Sequence, residues 1–176
     1  MLTSTQWDVL RSDDWGEVED WLADGSLSPE VCQEFCIEAA RYDCAHILHL
    51  LLKAKIVDLE MRQRALLCAI NGRCFTAMHL LLQNGCDSNY RYRTGTPLHC
   101  ALSCELNYGL VLEDLTGKVL RHITQSIELI LKYNPDPTIV DDGRTPRELA
   151  LWLGQFAAAD LLAAYEQSYA APSATP

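Results

Sequence analysis

The sequence predicts an all-α fold, a solenoid of stacked helix-turn-helix units joined by hairpin-like loops, and three observations carry that prediction. Small and aliphatic pairs recur along the 176-residue chain: Ala39-Ala40, Ala69-Ile70, Ala101-Leu102 and Ala150-Leu151 stand 30, 32 and 49 residues apart. Leucine-type pairs follow in step, with Leu51-Leu52, Leu81-Leu82 and Ile130-Leu131 at spacings of 30 and 49 and Trp21-Leu22 30 residues ahead of the first. Twice, at Thr96-Pro97 and Thr145-Pro146, a threonine able to accept from orphan amides precedes a proline suited to a first helical turn. A period near 30 to 33 residues belongs to helical arrays, in which each unit buries its apolar face only against its neighbours.

Taken in order, the pairs define five units in one domain over residues 1–168, at about 4–27, 28–58, 59–89, 90–139 and 140–168. The first is acidic, with Asp13, Asp14, Glu17, Glu19, Asp20 and Asp24, as suits the polar outer face that an array needs at its end. The second and third repeat the 13-residue step from alanine to leucine. In the fourth that step is 30 residues, so 17 extra residues lie within the segment 103–123. There Leu112, Leu115, Val119, Ile123, Ile127 and Ile130 recur at helical steps, so the second helix of this unit is expected to start near Leu110, carrying Glu113, Asp114, Lys118 and Arg121 outward, with Glu105 to Tyr108 as a loop. The fifth unit ends near Ser168, and residues 169–176, Tyr-Ala-Ala-Pro-Ser-Ala-Thr-Pro, read as a disordered tail.

Thr96-Pro97-Leu98-His99-Cys100-Ala101 matches T-P-L-H-x-A, the opening of the first helix of an ankyrin repeat, and the chain resembles that family from roughly Gln6 to Gln167. Gly85-Cys86-Asp87-Ser88-Asn89 and Asn134-Pro135-Asp136-Pro137-Thr138 are similar to the family's G-A-D-x-N turn, which closes a helix through a left-handed residue. Asp141-Asp142-Gly143-Arg144-Thr145-Pro146 resembles its hairpin tip, although Arg147 and Glu148 replace Leu-His. In the second unit Glu34-Phe35-Cys36-Ile37-Glu38 occupies the T-P-L-H-L position and sets Glu38 where the family has a buried residue.

The resemblance implies a concave binding face made of hairpin tips and the last exposed residues of each first helix. It nominates Arg41, Tyr42, Asn71, Ser103 and Trp152 after the alanine pairs, and Arg62, Gln63, Tyr90, Arg91, Tyr92, Arg93, Asp141, Asp142 and Arg144 at the tips. Tyrosine, tryptophan and arginine carry most interface energy because they bury large area at small entropic cost, which makes Tyr42, Tyr92, Arg93 and Trp152 the expected anchors.

Eight cysteines suggest a disulfide framework or a metal site, and the register argues against both. Cys44 and Cys74 are equivalent positions, as are Cys68 and Cys100, while Cys36 takes the place of Leu66 and Leu98; they read as small core fillers in a reducing compartment. Cys32/Cys36 and Cys100/Cys104 lack a second ligand pair at zinc spacing, and His49 and His79 fall on outer helices. Gly117-Lys118 has no glycine five residues before it and no Ser/Thr after it, so it is no phosphate loop, and no serine sits in G-x-S-x-G. The expectation is a protein with no catalytic residues, no metal and no cofactor.

A net charge of −10 with a pI near 4.8 repels phosphate backbones and anionic membranes and attracts a basic protein. Acidic residues near the N-terminus and the lack of a long apolar run speak for a cytoplasmic protein with neither signal peptide nor membrane span. Small acidic ankyrin proteins resemble stoichiometric binders. The expected function is therefore a monomer, or one half of a 1:1 hetero-complex, that recognises and blocks one protein, in the manner of an immunity protein neutralising a toxin. The alternative is an adaptor or host-interaction protein that bridges two partners.

Overall fold

Capping decides where the helices begin. The helix α1 (Ser4–Ser12) starts behind Thr3, whose hydroxyl accepts from the Gln6 amide while the Gln6 side chain accepts from the Thr3 N–H. Asp14 caps α2 (Trp15–Ala23), Ser28 caps α3 (Pro29–Arg41) ahead of its first-turn proline, and Asp58 caps α5 (Leu59–Gly72) by accepting from the Met61 amide at 2.8 Å. The helices α4 (Ala45–Ala54) and α6 (Phe75–Gln83) have cysteines, Cys44 and Cys74, at their N-caps, and neither caps its own helix. The preceding pair supplies the acceptor instead: Asp13 accepts from the amides of His46 and Ile47 at 3.3 and 3.2 Å, and Asp43 accepts from Ala77 at 2.8 Å.

The computed structural model describes residues 2–93, 95–109 and 124–170, with 105–109 described as backbone only. These fall into two compact units, one ending at Asp87 and the other beginning at Ser88. Among the described residues the chain is all-helical, with no strand beyond two isolated bridges, Tyr92 to Gly95 and Asp141 to Arg144.

In the first unit the 30-residue period governs the backbone. The second helices start at Trp15, Ala45 and Phe75. Left-handed residues follow the first helices at Asp13, Asp43 and Arg73 (φ 49°, 57° and 56°) and the second helices at Gly25, Lys55 and Gly85 (φ 74°, 56° and 86°). Each pair closes on itself, α1 on α2, α3 on α4 and α5 on α6. First helices pack in series, α1 on α3 and α3 on α5, as do second helices, α2 on α4 and α4 on α6. Phe35, Ile47, Leu48, Leu51, Leu66, Ile70, Met78 and Leu81 fill the space between them and are fully buried. Gly72 lets one pair approach the previous one, since a Cβ there would stand 2.9 Å from the Arg41 carbonyl oxygen and 3.0 Å from Cys74 Sγ.

The second unit holds α7 (Pro97–Gly109), α8 (Gln125–Leu131), α9 (Pro146–Trp152) and α10 (Phe156–Ala170). Here the period is 49 residues: Ala101 and Ala150 are equivalent and buried, and both bridges obey it. The helix α7 packs on α8 and on α9, and α9 on α10, around Leu98, Leu102, Ile127, Ile130 and Leu162. Thr145 and Glu148 form a second capping box, which holds the Glu148 carboxyl below its usual range through the Thr145 backbone bond first and its hydroxyl second.

Two expectations need correction. Residues Glu105 to Tyr108, expected as a loop, continue α7, because the chain meets no glycine or proline until Gly109. Tyr169 and Ala170, assigned to the tail, are the last turn of α10, where the Tyr169 ring lies 5.9 Å from that of Tyr165. The helix expected from Leu110, with Glu113, Asp114, Lys118 and Arg121, and the tail residues 171–176 lie outside the described residues.

Candidate functional site

The side chains nominated by sequence form a group on each compact unit. On the first, Arg41 and Tyr42 end α3, and Arg41 lies 3.3 Å from Glu38 and 4.0 Å from Cys68 Sγ on α5. Asn71 stands exposed at the end of that same helix. Tyr42 is 59% exposed and meets the Trp7 ring edge-on, at 6.3 Å and 83°. Glu38, the acidic residue at a normally buried position, pairs one carboxylate oxygen with Arg41 while Oε2 is buried without a hydrogen-bond partner, an arrangement that costs stability.

Arg62 and Gln63 do not join this group, which corrects the expectation that they lie at a tip. They occupy the first turn of α5, where the Gln63 side chain turns inward and is 2% exposed. Arg62 is half-buried and donates to the Asn84 carbonyl at 2.9 Å, so its charge sits against the negative end of α6. It acts as a staple between helices.

On the second unit the two tips lie side by side. Arg91 donates to the Val140 carbonyl at 2.6 Å and sits 3.7 Å from Asp141, joining the hairpin of Tyr90–Arg93 to that of Asp141–Arg144. Tyr90 is half-buried, while Tyr92 and Arg93 are exposed. Asp142 points into solvent, 3.7 Å from Arg144, whose guanidinium lies 4.6 Å over the Trp152 ring. Trp152 is 65% exposed and has Leu151 and Phe156, also exposed, on either side in sequence. The Ser103 hydroxyl is engaged within α7, donating to the His99 carbonyl at 2.9 Å. Gly95 underlies the tip: at φ 86° it is left-handed, and a Cβ would stand 2.6 Å from Asp141 Oδ2 and 2.8 Å from the His99 Cβ.

Three contributors were missed by sequence reasoning. Leu151 and Phe156 look like core residues of an apolar helix, and only the packing shows that they face out. Trp7 had a readable signal, since Ser4, Trp7, Asp8 and Arg11 recur at i, i+3, i+4 and i+7 and so share one face of α1, opposite buried Val9.

Several groups with reactive chemistry are occupied by structure. None of the eight cysteines is in a disulfide, and six are buried. Desolvation pushes the thiols of Cys36 and Cys86 up to about 12 and that of Cys44 to about 11, far from the thiolate form that a nucleophile requires. Cys44 donates to the Leu10 carbonyl at 3.0 Å and Cys74 to that of Arg41 at 3.1 Å, so equivalent thiols tie consecutive pairs together. Among the described residues no three His, Cys, Asp or Glu side chains converge as metal ligands, and no helix is long and apolar enough to cross a membrane. His46 pairs with Asp13 at 2.7 Å. No protein-family model matches the chain, and no curated protein matches it.

Proposed function

We propose that the chain is a non-catalytic protein-binding module of the ankyrin type, which captures one protein through hairpin tips and the ends of first helices and blocks it stoichiometrically. The observation that carries this reading is the exposure of Tyr42, Tyr92 and Trp152, at 59%, 39% and 65%, with Leu151 and Phe156 also exposed near Trp152 in sequence. Water-exposed aromatics at the edges of rigid elements lower no folding free energy by burial there, but they are suited to burial in an interface. Arg93 beside Tyr92, and Arg144 stacked on Trp152, add donors that can stay hydrated at the rim. Of the forms such a binder takes, an immunity-type neutraliser acting on a basic partner in the cytoplasm agrees best with a small chain of charge −10.

The test starts by co-purifying the partner from the source cells and titrating it with the pure chain. One-to-one saturation with parallel loss of the partner's activity is the expected result. The double substitution Tyr92→Ala/Arg93→Ala should weaken binding by about 2 kcal/mol, some 30-fold, and leave the melting temperature nearly unchanged, because both side chains lie outside the core. Turnover of a substrate by the chain alone, or binding of two proteins at once without inhibition, would overturn the reading.

A further inference from the structure

We propose that the corner between Trp7 and Tyr42, on the first compact unit, is a socket for an arginine or lysine side chain of the protein partner. The proposal rests on the protein-binding reading above and assigns it a contact chemistry. The corner is built by two elements. The stripe Ser4, Trp7, Asp8 and Arg11 is the face of α1 that does not pack on the core, and Tyr42 joins it from the C-cap of α3, carried there by the packing of α1 on α3. The rings stand nearly perpendicular, 83° apart with centroids at 6.3 Å, as two walls of an open groove of about 510 Å³ closed below by Leu10. That volume falls within the roughly 300–1,000 Å³ usual for clefts that hold a ligand group.

Three properties of the groove select a cation. Aromatic faces carry the negative lobe of the ring quadrupole, so a guanidinium or ammonium against Trp7 or Tyr42 is attracted where a carboxylate or phosphate would be repelled. Asp8 lines the groove, and its bond to Arg11 at 3.3 Å joins two largely exposed side chains, so it is weak and leaves the second carboxylate oxygen available to an incoming donor. The compact unit that carries the groove has the matching sign: residues 1–87 hold 14 acidic against seven basic side chains. An arginine is the better fit, because its plane can stack on one ring while its fork reaches Asp8.

The test uses the full chain and a capped hexa-arginine peptide at low ionic strength, read through the four indole N–H signals of 15N-labelled protein, with hexa-citrulline as the neutral isostere. The Trp7 signal should shift saturably with hexa-arginine and stay still with hexa-citrulline, and Asp8→Asn, which leaves both rings in place, should weaken binding several-fold. Trp7→Leu should weaken it about tenfold. A Trp7 signal unmoved at saturating peptide overturns the socket. If the peptide nevertheless binds, the basic-partner reading survives with another contact site, whereas that reading itself fails only in the titration with the co-purified protein. A Trp7 signal that changes on dilution of the chain alone would give the groove to a second copy and overturn the proposal too.

Discussion

Buried at 1% exposure, the His99 ring makes two hydrogen bonds that fix its tautomer. Nε2 lies 3.1 Å from the Arg144 carbonyl, which can only accept, so Nε2 carries the proton and Nδ1 accepts from the Thr96 hydroxyl at 2.8 Å. Desolvation holds its pKa below the ordinary 6.5; the Arg144 carbonyl and Asp141 act the other way, and Arg91 adds to the lowering. The unfolded chain therefore takes up a proton near 6.5 that the folded chain refuses until lower pH, and stability should fall as pH drops below 6.5 and level off beneath the folded value. Urea melts at pH 7.5 and 5.5 should show that loss, and His99→Gln should abolish its share of it while costing about 1–3 kcal/mol at the higher pH. An unchanged pH difference in the variant would mean that the ring is not the group responsible. This structural role of His99 was legible, because a histidine beside a helix-opening Thr-Pro has a hydroxyl within reach. Gln63 was misread because the family resemblance set it at a tip, whereas it lies in the first turn of α5 with its side chain turned inward. Orientation of a polar residue on a helix is set by packing, which a single sequence does not state.

At the scale of elements, consecutive helix pairs are joined by a device that the alanine and leucine pattern did not disclose. Asp13 and Asp43 end their first helices in the left-handed conformation, and each turns its carboxylate onto the N-terminus of the next pair's second helix. The period itself was readable from apolar residues because burial repeats with them. These caps were not, since a left-handed position occupied by Asp, Asp and Arg carries no glycine to mark it. The device predicts a graded series. Asp43→Ala loses the acceptor for the Ala77 amide and puts a Cβ without compensating bonds at φ 57°, so it should cost about 2 kcal/mol. Asp43→Asn keeps an oxygen acceptor and tolerates left-handed backbone, and should cost only a few tenths of that. Equal losses in the two variants, measured by urea denaturation, would show that the carboxylate's charge matters and its cap bond does not.

Over the whole molecule the charge is unevenly shared. Residues 1–87 carry 14 acidic against seven basic side chains and residues 88–176 carry ten against seven, so net charges of −7 and −3 make up the −10. Total charge was legible at once and bears on which partners are attracted, but its concentration on the first unit acquires meaning only beside the division at Asp87. A field of this kind acts before contact: it raises the encounter rate with a basic protein and fades once salt brings the Debye length to about 8 Å. Glu19 and Asp20 lie exposed on α2 and make no contact with the core, so Glu19→Lys/Asp20→Lys should shift the melting temperature little. In stopped-flow mixing with the co-purified partner at low salt, the doubly reversed chain should associate about tenfold more slowly, with a flatter salt dependence and a dissociation rate close to that of the natural sequence. Slowing confined to dissociation would instead make these residues part of the contact, and an unaltered association rate would mean that the acidity of α2 keeps the chain dispersed in solution without steering its partner.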